Sequence, residues 1–416
     1  MEQTSDSRHG RSAAPSMAAA SSRGQLGQFC AAVLDDASWQ EKLRQPDSVD
    51  EFVALVLESA RQFGFSVTAE DVLTVMRERS LGLINLQDSP VSETKLPPEG
   101  WLPVRTSWHG NQLYVHWTHF GDRPLREPFF ESSVQQRLFK PFNKLFRYFT
   151  PIERLGEWLD AHPPLPPSGF IFHMSRCGST LVSQMLAALG QNVVVSEASP
   201  IDAVVQASHL RPDMTQDQHA LWLRWMIGAF GQPRRGGEKH FFVKLDCWHA
   251  LALPLFRRAF PTVPWVFLYR DPVEVLVSQL QMPGAQMIPG VVGPNLLDLP
   301  PSADIRQPEE YYACFLGSIC EAVLQHHDGG AGLLVNYRQL PSALWKTILP
   351  HFAVSCSDLD QAAMTEAAQR DAKAPSFEFA ADSEAKQQAA TEAARSAADR
   401  WLGESYRRLE ALRCGP

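Results

Sequence analysis

The first 24 residues are hydrophilic and rich in Ser and Ala, with no apolar stretch, and this pattern predicts a disordered tail over 1–24 and no secretion signal. From Gln25 the apolar positions take on helical spacing. Leu26, Phe29, Val33 and Leu34 make one face. A second helix opens on the capping-box pattern Ser48-Val-Asp-Glu51, continues through Phe52, Leu55 and Val56, and is closed by Gly64. A third is capped by Thr68 and runs through Val72, Val75 and Met76. These three helices define a small helical module, 25–80, that holds no cluster of catalytic residue types. Pro90, Pro97 and Pro98 mark 81–100 as a linker. Segments 104–108 and 113–120 predict a β-hairpin turning at Gly110-Asn111. Phe139, Phe142, Phe146 and Phe149 recur at helical spacing, and this Phe-rich stretch and the hairpin form an accessory segment, 101–165.

The second half alternates. Strands are predicted near 170–173, 192–196, 240–245 and 264–269, with helices over 179–189, between 200 and 230, and over 249–259 and 272–282. Alternation of this kind predicts an α/β domain, 166–416, whose parallel sheet is flanked by crossover helices. Residues 283–308 are rich in Pro and Gly without periodicity, which predicts a long loop of the kind used for lids and binding. A helix over 311–326, a last strand over 332–335 and a long Ala-rich helix over 383–412 complete the pattern.

Composition narrows the function classes. A net charge of −8 and a pI near 5.9 argue against a general nucleic-acid binder. No apolar run approaches the ~20 residues of a membrane span, so no membrane partner is expected. Seven scattered cysteines without a CxxC pair fit free thiols in a reducing cytoplasm and no zinc knuckle. His116 and His119 fall on opposite faces of one strand, which argues against a metal pair, and no metal is expected.

Candidate chemistry centres on the sequence GFIFHMSRCGSTLVSQMLAAL from Gly169 to Leu189, a strand, a small polar loop and an amphipathic helix in succession. A loop that ends on a helix N-terminus offers unpaired N–H groups and the positive end of the helix dipole to an oxyanion. Gly178 allows close backbone approach, Ser179 and Thr180 add hydroxyls, and Arg176 adds a fixed charge. The competing reading is an ordinary strand-to-helix turn. A second anchor follows at 265–278, where an aromatic strand ends on Arg270-Asp271-Pro272 and a helix carries Ser278. Pro272 suits the first helical position, so Arg270 falls at the carboxyl edge of the sheet, where ligands of doubly wound folds bind. Its competing reading is a surface Arg paired with Asp271 or Glu274.

The two motifs together resemble the sulfotransferase family that uses 3′-phosphoadenosine 5′-phosphosulfate. In that family a basic residue followed by Ser/Cys-Gly-Ser/Thr-Thr binds the 5′-phosphosulfate, matched here by Ser175-Arg176-Cys177-Gly178-Ser179-Thr180-Leu181. An aromatic-x-x-Arg-Asn/Asp-Pro-x-Asp/Glu-x-x-x-Ser motif binds the 3′-phosphate, matched by the stretch from Phe267 to Ser278. The resemblance implies a P-loop-type fold over about 167–412, this nucleotide as co-substrate, and sulfuryl transfer to a hydroxyl or amine of a small-molecule, carbohydrate or peptide acceptor. It also implies a base, for which Glu197 is favoured over Asp246 and His249, and a sulfonate contact from Lys244 at a strand end. The terminal Arg-Lys-Gly motif of cytosolic relatives is not visible, and Lys373 is the stand-in. Residues 26–78 resemble the Nif-type leader-peptide domain through Phe29, Gln40-Glu41-Lys42-Leu43, Gly64-Phe65 and the Thr68-Ala69-Glu70-Asp71 cap, without its Gly-Gly cleavage site. That resemblance implies a peptide or protein partner for the module. Two alternatives stay open. One is a P-loop kinase or NTPase, against which stands Ser179 in the place of the Walker lysine. The other is a non-catalytic nucleotide- or peptide-binding protein.

Overall fold

In a computed structural model of the chain, the described residues are 21–80, 95–294, 296–301, 304, 306–327, 331–373, 376–377 and 382–414. Most of the expected tail and most of the expected linker lie outside them. The chain divides into two compact units, Met1–Pro90 with Lys144–Phe146, and Val91–Asn143 with Arg147–Pro416. The hairpin and Phe-rich segment therefore fall mainly in the same unit as the α/β domain.

The described part of the first unit contains four helices where the sequence pattern predicts three: Ser22–Leu34, Ala37–Arg44, Val49–Gln62 and Ala69–Ser80. Residues 22–24 belong to the first of these and not to a tail, because the Ser21 side chain caps it by accepting from the Gly24 N–H. The added helix is Ala37–Arg44, opened by the Asp36 carboxylate accepting from the N–H groups of Ser38 and Trp39. It contains the Gln40-Glu41-Lys42-Leu43 stretch, and it buries only Gln40 and Leu43, too few positions to show a period. The Ser48 and Thr68 caps form as expected, accepting from Glu51 and Asp71 N–H groups. Phe29, Val33, Leu43, Phe52, Val56 and Val72 are fully buried.

In the second unit, β1 (Trp101–His109) and β2 (Gln112–His119) pair antiparallel with His109 opposite Gln112, so the chain turns at Gly110-Asn111. A third strand, β3 (Tyr148–Pro151), adds to β2. The helical spacing of the phenylalanines misleads here. Helix Phe130–Leu138 ends before Phe139, which is 75 % exposed, and Phe149 lies on β3.

The main sheet consists of β4 (Pro167–His173), β5 (Asn192–Ser196), β6 (His240–Lys244), β7 (Trp265–Tyr269) and β8 (Gly332–Asn336), all parallel, in the order β5-β6-β4-β7-β8. Every residue of β5 and β7 is buried, as expected where helices cover both faces of a parallel sheet. Strand order reverses about β4, so the crevice at the carboxyl ends of β6, β4 and β7 is where this topology offers a ligand site.

Three local expectations are corrected. The helix predicted over 249–259 begins as a 3-10 turn, Cys247–Ala252, before the α-helix Leu253–Ala259. The long Ala-rich helix is two helices, Ser383–Ala389 and Glu392–Arg413, because the Thr391 side chain caps the second at the Ala394 N–H. Helix Asp358–Ala368 appears where none was predicted, opened by a capping box between Ser357 and Asp360 and burying only Met364. Among the described residues no helix is long and apolar enough to cross a membrane.

Candidate anion-binding and proton-transfer site

The strand-loop-helix at 169–189 forms as β4, a loop and the helix Ser179–Ala187. Its backbone is strained. Ser175 (φ 82°), Arg176 (φ 51°) and Gly178 (φ 84°) take left-handed conformations, which cost non-glycine residues about 1–2 kcal/mol each. Strain of this size persists only where surrounding contacts hold it, and here they do. The Ser175 hydroxyl accepts from the buried Gln279 and Gln286 side chains at 2.9 and 3.4 Å. The Ser175 N–H donates to His173 Nδ1 at 3.1 Å, which leaves His173 Nε2–H to donate to the Leu245 carbonyl at 2.8 Å. Arg176 donates to the Met282 carbonyl at 2.6 Å. Gly178 is required by space as well as by φ: a Cβ there would lie 2.7 Å from Leu340 Cδ1 and 2.9 Å from Tyr337 Cδ2. The Cys177 thiol donates to the Leu268 carbonyl at 3.1 Å and burial pushes it up to about 12, so this side chain belongs to the packing of the loop.

The second anchor stands at the end of β7. Arg270 is buried, donates from Nε to Glu274 at 2.5 Å and from Nη2 to Asp382 at 2.7 Å and Ser383 at 3.0 Å, and stacks 4.1 Å over the Tyr337 ring. Burial disfavours its charge, but Asp382 and Glu274 outweigh that and hold it more firmly protonated than usual. Ser278 is the seventh residue of the following helix, Pro272–Gln281.

The three base candidates are separated by their surroundings. Glu197, just past β5 and also left-handed at φ 54°, bonds to the fully buried Lys244 ammonium and sits 3.5 Å from His173. Burial alone would raise its carboxyl, yet Lys244 and His173 hold it well below the usual carboxylate range. Asp246, following β6, is pushed up to about 7, by burial first and by Glu197 and Asp202 besides, while His249 and Lys244 pull the other way. His249 Nε2 hydrogen-bonds Asp202 Oδ1 at 3.0 Å and lies 3.8 Å from Asp246.

One cleft of about 510 Å³ collects most of these groups. Ser175, Arg176, Cys177, Gly178, Ser179, Thr180, Glu197, Asp246, Arg270, Ser278 and Lys373 line it. Two expected site residues do not. The Lys244 ammonium is spent on Glu197 and lies 4.9 Å over the Phe129 ring, and His249 is buried behind Asp246. Lys373 reaches the cleft from a distant loop, and burial first, then the nearby Arg176 and Lys244, bring its ammonium down to about 8. Sequence reasoning missed His173, Asp202, Gln279, Gln286, Tyr337 and Asp382. Gln279 alone had a signal, a polar residue on the buried apolar face of its helix. An adjoining cavity of about 1040 Å³ shares Leu181 and Tyr337 with the cleft and continues past Leu340 to Phe377. Among the described residues one group, Asp202, Asp246 and His249, has donor atoms within 4.8 Å of one another, as a metal site needs. Those atoms are already joined: Asp202 Oδ1 accepts from both His249 and the Trp248 indole.

No family model and no curated protein matches the chain. Among solved structures it is similar to a sulfotransferase from Mycobacterium avium, at 13 % identity over 61 % of this chain and 81 % of that one, with a TM-score of 0.38. A sulfotransferase domain from the curacin biosynthetic pathway is similar at 14 % identity over 60 % of this chain and 98 % of that one, TM-score 0.36. A sulfotransferase from Alicyclobacillus acidocaldarius is similar at 13 % identity over 60 % and 96 %, TM-score 0.34. At these identities and scores the likeness assigns no family.

Proposed function

We propose that the chain moves a sulfuryl group from 3′-phosphoadenosine 5′-phosphosulfate to a hydroxyl or amine acceptor by in-line displacement. The observation that carries this reading is that Arg176 with the Gly178-Ser179-Thr180 cradle, and Arg270 with Ser278, line one cleft from the ends of two adjacent strands, β4 and β7. Two separated cationic anchors fit a ligand with two separated anionic groups. Gly178, Ser179 and Thr180 line the cleft at the N-terminus of the helix Ser179–Ala187, which fits a phosphosulfate lying against that N-terminus.

In this reading Arg176 and the N–H groups of Ser179 and Thr180 face the bridging oxygen, where negative charge grows as the bond breaks, and stabilise it by fixed charge and dipole. Arg270 and Ser278 hold the 3′-phosphate, with Asp382 giving way. Lys373 adds a cation at the cleft. The apolar wall of Tyr337, Leu340 and Phe377 offers surface to the nucleoside. The donor supplies the sulfuryl group and the acceptor the attacking hydroxyl or amine.

Asp246 replaces Glu197 as the favoured base. A general base works best with a proton affinity near the operating pH, which fits a carboxyl pushed up to about 7 and open to the cleft. A carboxylate paired to a buried ammonium, as Glu197 is, accepts a proton poorly. Glu197 and Lys244 then serve to shape the loop beside the cradle.

The test is a thermal-shift comparison of 3′-phosphoadenosine 5′-phosphate against ATP with Mg²⁺, followed by an acceptor screen with radiolabelled donor across small alcohols, phenols, carbohydrates and peptides. Stabilisation by the bisphosphate and label transfer are expected. Preference for ATP would sink the reading.

A further inference from the structure

Behind the cleft wall stands a group that no motif announces. Asp246 faces the cleft, while His249 and Asp202 are not among its lining residues. The His249 ring is 1 % exposed, and its Nδ1 has no hydrogen-bond partner among the described residues. All of its hydrogen bonding therefore runs through Nε2, which lies between two carboxylates, 3.0 Å from Asp202 Oδ1 and 3.8 Å from Asp246 Oδ2. A separation of 3.0 Å is a hydrogen bond, and one of 3.8 Å is not.

The asymmetry has a structural cause. Asp202 is fixed by further donors, the Trp248 indole at 2.6 Å and the Gln206 amide at 3.0 and 2.8 Å to its two oxygens. Gln206 is anchored in turn, since its Oε1 accepts from the Gly293 N–H at 2.9 Å. The carboxylate on the helix Ser199–Val205 is thus held in place to receive the imidazole N–H, and the Asp246 carboxylate loses the competition for it.

We propose that Asp202 is a positioning residue for the reaction: by accepting the His249 Nε2–H it keeps that donor off Asp246, whose carboxylate stays an open proton acceptor on the cleft. This rests on the reading of Asp246 as the base. A base whose lone pairs are taken by an imidazole N–H is stabilised as the anion and pulls a proton from the acceptor less strongly. The charged groups that act on Asp246 are His249 from its own 3-10 turn, Lys244 from β6, Glu197 from the loop after β5 and Asp202 from the helix Ser199–Val205. Neutralising Asp202 removes a like charge and weakens the acceptor that holds the His249 N–H, and both effects favour the Asp246 anion, opposed in part by the lost support for the His249 charge.

The experiment uses the full chain with ¹³C-labelled aspartate carboxyls, Asp246 being assigned by the signal lost in Asp246→Asn. In Asp202→Asn, which is isosteric, the Asp246 titration midpoint is expected to fall by about one pH unit. The acid limb of kcat/KM should move down by the same amount, with kcat reduced and the acceptor KM unchanged. Asp202→Glu, which keeps the charge and an acceptor, should restore part of kcat. A midpoint that stays or rises overturns the proposal, as does a shifted midpoint with an unmoved acid limb. Tight binding of a divalent cation by the wild-type chain, lost in Asp202→Asn, also overturns it, because the three side chains would then be ligands. If the wild-type chain transfers no sulfuryl group, the functional reading fails and the catalytic role with it, while the carboxyl titration still decides whether Asp202 withholds the His249 donor.

Discussion

The Arg270 guanidinium donates through Nη2 to the Asp382 carboxylate at 2.7 Å, so the side chain that reads as a phosphate anchor already holds an anion. Asp382 is tied at its other oxygen to Lys386 at 2.6 Å and is about half exposed. A phosphate entering beside Arg270 meets a like charge that must leave. Asp382→Ala should therefore bind 3′-phosphoadenosine 5′-phosphate several-fold more tightly, consistent with ~1 kcal/mol for a partly exposed pair. Isothermal titration measures this, and an unchanged or weaker affinity would count against Arg270 as the 3′-phosphate site.

Arg270 itself is a harder test than the sequence implies. From sequence, Arg270→Ala is expected to lower ligand affinity by much more than it lowers stability. The structure buries both Arg270 and Glu274, so removing the arginine alone strands a buried carboxylate and should cost about 3–5 kcal/mol of stability. Arg270→Met combined with Glu274→Met removes both charges at similar volume and should recover much of that loss. Ligand binding should stay absent in both variants. Recovery of binding together with stability would show that Arg270 is structural only.

How much of this was legible depends on how far apart the interacting residues lie. Strands β4 to β8 could be read because parallel strands buried on both faces are continuous apolar runs. The cradle could be read because its strand, loop and helix are consecutive. β3 could not, since Tyr148–Pro151 is four residues long and follows helices of similar aromatic content. The contact of Arg270 with Asp382 joins positions 112 apart, and no local pattern announces it. The ranking of Glu197 and Asp246 was unreadable for the same reason: both are carboxylates just past a strand, and only tertiary packing gives one a buried lysine and the other a histidine turned away to Asp202.

Gly178 offers a test of the cradle that leaves every charge in place. Alanine there meets a left-handed φ of 84° and a Cβ position 2.7 Å from Leu340 Cδ1, so either the loop or the Leu340-Tyr337 wall must move. The backbone conformation alone costs about 1–2 kcal/mol. Gly178→Ala should lower Tm modestly and bisphosphate affinity by more than tenfold. Loss of Tm with full affinity would mean that the loop's backbone does not contact the ligand.

The raised proton affinity of Asp246 gives a stability signature independent of any assay of turnover. Its folded carboxyl titrates at about 7, with burial the leading cause, against about 3.9 for an unfolded aspartate. Between those values the folded state holds a proton that the unfolded state has lost, so the stability it contributes is full below the unfolded value and is lost as pH rises through the folded one. Asp246→Asn removes this dependence. Measured as the difference from wild type, its stability advantage should be about 1.5 kcal/mol at pH 5 and should approach ~4 kcal/mol by pH 8, the ceiling set by the distance between the folded and unfolded midpoints. Glu197 has the opposite sign, and its stabilisation is lost in acid, below the window from pH 5 to pH 8. A Tm difference that does not change between pH 5 and pH 8 would mean that Asp246 is ionised like a surface carboxylate, and it would lose its claim to be the base.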